Sequence, residues 1–361
     1  MIKMRVLNER GGHFAALRNS TVLIYWPHGL GDWVHLGTIL PLLEPSNRYF
    51  VTRFGDDFVS VIEGNAYARP LYSGARKLSD GAEQGARHLG IDPRRVAGAL
   101  MDVALPDWLE RHVRLARIDT LFYTDYPEPE GRAAFPFHTK ARALAKSLVA
   151  APRIAHFDLS KALASTIDFS VRPEINTFVE SVLADYMQPA DPLVLLALRG
   201  HTNERKAWPP VRARELIALL RARAARATFL LLDEGPVPPE LAGAVFSFAE
   251  LFRGEQPFAA IYKALLARAK LFIGVPAGPL HMASAYGCLP IIGIWQVHHP
   301  DWYDELNRNA VHLIGADVVR RGFARRPATV TKPEALKDTC EVVAQAVVPA
   351  QAVAARAYEL L

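Results

Sequence analysis

Phe272-Ile273-Gly274-Val275-Pro276-Ala277-Gly278-Pro279-Leu280-His281-Met282-Ala283-Ser284-Ala285-Tyr286-Gly287 is the stretch that decides the fold of the second half of this chain. The apolar residues up to Val275 read as a buried strand. A turn of small residues follows, Pro279 falls where a helix begins, and Gly287 falls where one stops. Strand, tight turn and short helix therefore come in that order. A helix start offers unpaired N–H groups and the positive end of the dipole, which together suit an anion such as a diphosphate. Pro279 has no N–H, so the donors would be Leu280, His281 and Gly278. Small side chains in the turn let a ligand approach the backbone, and His281 in the first turn can donate to a phosphate oxygen. Read alone, the stretch is equally an ordinary βα turn whose histidine caps or packs.

Pro290-Ile291-Ile292-Gly293-Ile294-Trp295 is a second apolar run directly after that helix. Strand–helix–strand at this spacing is a βαβ unit, hence a parallel sheet with both faces covered. Two more buried runs lie upstream, at 192–198 and 228–232, with a helical stretch over 211–227 between them. Together they predict a doubly wound α/β domain over about residues 190–315, with ligands at the carboxyl ends of the strands. His281, the acidic pair Asp233-Glu234 and the segment after Leu198 all fall there. That last segment, Arg199-Gly200-His201-Thr202-Asn203-Glu204-Arg205-Lys206-Ala207-Trp208-Pro209, is dense in charge. Lys206 and Arg205 can neutralise a phosphate and Thr202 can donate to one. As a sequence it is also an ordinary solvated loop.

The Lys206-Ala207-Trp208-Pro209 segment, a strand ending in an acidic pair, then Gly278-Pro279-Leu280-His281-Met282-Ala283-Ser284 and a Pro-led strand resemble the heptosyltransferase family. The N-terminal half adds to the resemblance: Thr21-Val22-Leu23-Ile24-Tyr25-Trp26 is a first strand, followed by His28-Gly29-Leu30-Gly31-Asp32-Trp33-Val34-His35 and then Pro41-Leu42-Leu43. The interval before Pro41 is longer than the family shows. The family's core motif carries an acidic residue and a hydroxyl where this chain has Pro276 and Ala277. The resemblance is strongest over 193–295, and nothing over 67–150 matches a signature.

What the resemblance implies is a pair of Rossmann-like α/β domains of the GT-B type facing each other across a cleft. The divisions would be residues 1–188 on the acceptor side, 189–335 for the nucleotide-sugar, and a helix in 336–361 that returns to the first domain. The implied activity is inverting, metal-independent transfer of a sugar, heptose in this family, from a nucleotide-diphosphate donor. The acceptor would be a hydroxyl of a bacterial glycoconjugate such as lipopolysaccharide. Donor contacts fall on Thr202, Lys206, Glu234, Gly278, Leu280 and His281. Asp32 matches the family's general base, although an Asp there also caps a helix well. Acceptor contacts are expected at His28, His35, His138 and Lys140. No cofactor is expected beyond the donor, ADP-heptose in the family, and the acceptor is a sugar, a lipid-linked sugar or a protein. Two other readings stay open: a transferase or epimerase using a different nucleotide-sugar, which the change at Pro276 favours, and a non-catalytic nucleotide-binding relative.

Length and composition agree with this organisation. A chain of 361 residues exceeds the roughly 250–300 residues one core supports. With 50% hydrophobic and 22% charged residues the composition is that of a globular protein, and no apolar run reaches the roughly 18 residues of a membrane span. No secretory signal is evident. Cys288 and Cys340 lack metal-ligand spacing, Cys288 reads as buried packing, and a reducing cytoplasm is expected. The net charge of +5 gathers in Arg94-Arg95, the arginines of 111–117, Arg320-Arg321 and Arg325-Arg326. No nucleic-acid motif accompanies it. An anionic acceptor or peripheral contact with the anionic inner face of a membrane suits it better. His298-His299, adjacent and so pointing to opposite faces of a strand, are poor metal ligands, and Trp295 or Gln296 is expected near the nucleotide.

Overall fold

The computed structural model describes residues 4–7, 21–25, 29–37, 48–52, 58–65, 69–70, 120–124, 170–200, 204–252, 258–297, 300, 310–320 and 340–361. The chain forms two compact units, Met1–Ser170 with Pro257–Ala259, and Val171–Gln256 with Ala260–Leu361.

In the first unit the strands are β1 (Met4–Leu7), β2 (Thr21–Tyr25), β3 (Arg48–Thr52), β4 (Arg69–Pro70) and β5 (Thr120–Thr124), in the order β1-β5-β2-β3-β4. β1 runs antiparallel to β5 and the other pairs are parallel. Helix α1 (Leu30–Gly37) follows the central strand β2 and buries Trp33 and Val34. Its first turn closes through Trp33 N–H to Gly29 O at 3.2 Å. The loop residues Phe135 to Lys140, with His138, and also His28, Thr202 and His298-His299, lie outside the described residues.

The second unit opens on α2 (Pro173–Ala184), started by a proline at its first turn and buried along Ile175, Val179 and Leu183, the four-residue spacing of one helix face. There follow β6 (Leu193–Ala197), α3 (Pro210–Arg223), β7 (Thr228–Leu231), β8 (Phe246–Ser247), α4 (Phe248–Leu251), α5 (Phe258–Arg268), β9 (Leu271–Gly274), α6 (Gly278–Tyr286), β10 (Ile291–Trp295), β11 (Ala310–Gly315), α7 (Ala316–Arg320), β12 (Cys340–Val343) and α8 (Ala350–Leu360). All seven strands are parallel, in the order β12-β11-β10-β9-β6-β7-β8. Every residue of β6, β7, β9 and β10 is buried. That is why these strands read as continuous apolar runs rather than alternating ones. The core gathers Val194, Leu196, Phe229, Leu231, Ile273 and Ile292 from the sheet with Leu216, Ile217 and Leu220 of α3 and Val353 and Ala357 of α8.

Three readings of the sequence change here. The unit boundary precedes α2, ahead of the joint expected near 188–192; Arg268 of α5 donates to Asn176 Oδ1 at 3.1 Å and pairs with Glu180, tying α2 into the second unit. Among the described residues of 336–361, the helix begins only after Pro349. Cys340-Glu341-Val342-Val343 instead extends the sheet beside β11, as β-branched residues favour. α8 packs on α3, where Tyr358 Oη–H donates to Leu219 O at 2.8 Å and Arg223 lies 4.5 Å from the Tyr358 ring centroid. Cys288 is exposed, not buried. Gly287, at φ +76°, ends α6 in the left-handed conformation open to glycine and turns Cys288 outward, while Leu289 goes into the core. No helix among the described residues is long and apolar enough to cross a membrane.

Candidate functional site

The strand order fixes where a ligand belongs in the second unit. From β6 the chain winds one way through β7 and β8, then returns to β9 beside β6 and winds the other way through β10, β11 and β12. The reversal lies between β6 and β9, and open α/β sheets bind ligands outside the carboxyl ends of the strands at such a point. The two segments leaving these strands are the ones singled out in the sequence, Arg199 to Lys206 after β6 and Pro276 to His281 after β9. β6 and β9 lie close: a Cβ on Gly274 would stand 2.9 Å from Ala197 O, so glycine is required there.

Lys206 joins these two segments. Its side chain is buried, and Nζ donates to Pro276 O at 3.2 Å across 70 residues of sequence. Pro276 is the position where the resembling family carries an acid; here it offers a backbone carbonyl. Two residues further begins α6, a nine-residue helix with Ala277 as N-cap and no side-chain cap. His281 N–H is already used by Ala277 O at 3.2 Å, so it is not among the free donors expected from the sequence. Pro279 has no N–H, which leaves Gly278 and Leu280 as the first-turn donors without an acceptor among the described residues. The His281 side chain is buried in this first turn, as is Leu280.

The segment that delivers Lys206 is clamped at its base. Leu198 O accepts Trp208 N–H at 2.8 Å. Leu198 N–H and Arg199 N–H donate to Asp233 Oδ1 at 2.8 and 3.1 Å. Gln296, at the end of β10, donates through Nε2 to Ala207 O at 3.0 Å. Trp208 is wholly buried and sends Nε1–H to Val348 O at 2.8 Å. The tryptophan of the Lys-x-Trp-Pro segment is therefore a core anchor that places the lysine. Trp295, expected near the nucleotide, is also core: it is fully buried and donates Nε1–H to His312 Nδ1 at 3.0 Å.

Asp233 and Glu234 part company at the end of β7. Glu234 is exposed at the sheet's carboxyl edge, where a donor contact was expected. Asp233 is 8% exposed, and its Oδ2 is buried without a hydrogen-bond partner among the described residues. Burial raises its pKa from 3.8 to about 6, against the opposing pull of the Arg199 and Leu198 N–H groups and the Arg199 charge. Sequence reading had grouped the two acids. The signal that separates them is that Asp233 stands two residues beyond a fully buried strand and Glu234 three.

The raised pKa has a consequence for stability. Between about pH 4 and 6 the folded chain keeps a proton on Asp233 that the unfolded chain releases, so this group's contribution falls as pH rises through that window. A rise of about two pH units corresponds to about 3 kcal/mol. Asp233→Asn removes the ionisation and keeps the shape. The expected result is that the variant gains on the parent by up to about 3 kcal/mol between pH 4 and pH 7, read by urea unfolding at both. Parallel stability profiles would refute it.

In the first unit the order β1-β5-β2-β3-β4 reverses between β2 and β5, and α1 leaves β2 at this point. Asp32 is the third residue of α1 and His35 the sixth. Asp32 therefore stands inside the helix rather than at its N-cap, which falls on Gly29.

No family model and no curated protein matches the sequence. The structure does have solved relatives. A glycosyl transferase family 9 protein from Veillonella parvula matches with a TM-score of 0.57 at 14% identity, over 95% of this chain and 97% of that one. The ADP-heptose lps heptosyltransferase II of E. coli gives 0.53 at 15% identity, over 81% and 89%. E. coli heptosyltransferase WaaC with ADP gives 0.50 at 14%, over 94% and 100%. At these identities the likeness is one of fold, the heptosyltransferase-like α/β fold of GT-B glycosyltransferases.

Proposed function

We propose that this chain is a glycosyltransferase that moves a sugar from a nucleoside-diphosphate donor to an acceptor hydroxyl, and that the diphosphate sits between Lys206 and the start of α6. The observation that carries this reading is the Lys206 Nζ–Pro276 O contact at the strand-order reversal. It sets a buried ammonium beside the positive end of a helix dipole. Both features favour an anion at the same place.

The chemistry follows. The acceptor oxygen attacks the anomeric carbon as the bond from that carbon to the diphosphate oxygen breaks. The electron pair leaves on the diphosphate, where Lys206 and the Gly278 and Leu280 N–H groups stabilise the developing charge. The acceptor proton passes to a carboxylate, for which Asp32 is the candidate. A single displacement inverts the anomeric centre and needs no metal. The fold likeness supports a heptose carried by ADP as donor and a bacterial glycoconjugate as acceptor. Pro276 in place of the family's acid supports a second reading in which another nucleotide-sugar is used, and turnover with a panel of donors separates the two.

Calorimetric titration of ADP, UDP and GDP into the parent and Lys206→Ala tests the site. The lysine substitution is expected to weaken diphosphate binding by about 1.5–3 kcal/mol, the scale of a hydrogen bond to a charged group. Equal affinities for parent and variant would end the assignment.

A further inference from the structure

We infer that Asp233 is a positioning residue of the diphosphate site: its carboxylate holds the peptide groups of Leu198 and Arg199 and through them sets where Lys206 stands. This rests on the donor-site reading above. Asp233 lies on a different strand exit from Lys206. Its influence runs through the backbone that links them.

The geometry is specific. Oδ1 takes two N–H groups from the residues at which the chain leaves β6. The same Leu198 uses its carbonyl to hold Trp208 N–H, two residues after Lys206. Both peptide groups of Leu198 are thus fixed, one by Asp233 and one by the returning chain, and the outgoing and incoming ends of the segment meet at that residue. An ionised oxygen makes stronger bonds to N–H than a neutral one. The negative charge is met by these two N–H groups and by the Arg199 guanidinium. The Tyr262 hydroxyl of α5, which donates to Leu232 O at 2.8 Å, also lies near it, and Glu234, next in the chain, is exposed. Oδ2 is left buried and without a hydrogen-bond partner among the described residues, an arrangement that native structures rarely carry without a reason. A neutral Asn would accept the same two N–H groups without burying a charge. The carboxylate is explained if a firm grip on the segment matters more than the stability it forgoes.

Inorganic pyrophosphate is the probe, since it carries the shared diphosphate chemistry with no base or sugar. Its own titration is common to all variants, so affinities are read as ratios to the parent. At pH 8, Asp233→Ala is expected to bind it about tenfold more weakly and Asp233→Asn within about threefold of the parent, because Asn restores the acceptor but not the charge. As pH falls from 8 to 5 the parent and Asn affinities should converge. Tyr262→Phe removes the neighbouring Leu232 contact; it should lower thermal stability and leave pyrophosphate affinity unchanged. Asp233→Ala binding within twofold of the parent would overturn the inference, as would a Tyr262→Phe loss equal to that of Asp233→Ala. If the Ala variant fails to fold, a parent-to-Asn ratio that stays flat with pH overturns it. Lys206→Ala in the same titration separates the two levels. No loss there refutes the site itself, whereas a loss there with none at Asp233 refutes only the positioning role.

Discussion

Trp208→Ala is expected to destabilise the second unit by about 3–5 kcal/mol, the range for removing a large aromatic from a core. The side chain is fully buried, and its Nε1–H is the partner of Val348 O. Truncation therefore leaves a cavity and a carbonyl that has lost its donor. Against a total stability of about 5–15 kcal/mol for a typical domain this is a large share. Trp208→Phe separates the two terms: it keeps most of the ring volume and loses the Val348 contact, so it should cost about 1–3 kcal/mol. Urea unfolding of the three proteins checks both figures. An Ala variant within about 1 kcal/mol of the parent would mean the ring is not the anchor its burial indicates. The functional corollary is that the Phe variant, still folded, holds Lys206 less firmly, because Trp208 joins its segment both to Leu198 and to the residue before Pro349 and α8.

That tryptophan also shows which parts of the fold were legible in the sequence. Continuous apolar runs at 192–198, 228–232, 270–275 and 290–295 announced parallel strands, because strands covered on both faces have no polar side to show. Proline at 279 and glycine at 287 marked helix ends for reasons of backbone chemistry alone. Less visible were features decided by distant partners. Trp295 looked like a ligand-facing aromatic because it adjoins a strand exit, and nothing local marked Trp208 as core. Their burial depends on Val348 and His312, which lie 140 and 17 residues away. Asp233 and Glu234 are neighbours of one charge type, and only the pleat at the end of β7 turns one to the Leu198 and Arg199 amides and the other to solvent. β12 is four residues long, too short for a period to be read against the alanine-rich sequence after it. For the donor side, the sequence named Lys206 and the start of α6, and the sheet brings them within one hydrogen bond of each other through Pro276.

Asp32→Asn is expected to lower the rate of sugar transfer by about 100- to 10,000-fold, the usual contribution of general-base assistance. The reason begins with the backbone. β2 is the central strand of the first unit, its exit lies where the strand order reverses, and Asp32 is in the first turn of the helix that follows. Ligands of parallel sheets gather at such exits. An acid in the first turn of a helix also interacts with the dipole, so the substitution should cost about 0.3–1 kcal/mol of stability. The two roles therefore differ widely in size and in observable. A dipole partner changes the unfolding midpoint slightly and leaves turnover alone. A base leaves folding and diphosphate binding nearly intact and removes most of the turnover at saturating acceptor. Thermal unfolding, calorimetry with a nucleoside diphosphate and a transfer assay on an acceptor that the parent uses read these out separately. Transfer by the Asn variant at the parent rate would reduce Asp32 to a helix-dipole partner, and the base would then be sought first among His28 and His35, which flank it in the same glycine-rich turn and helix.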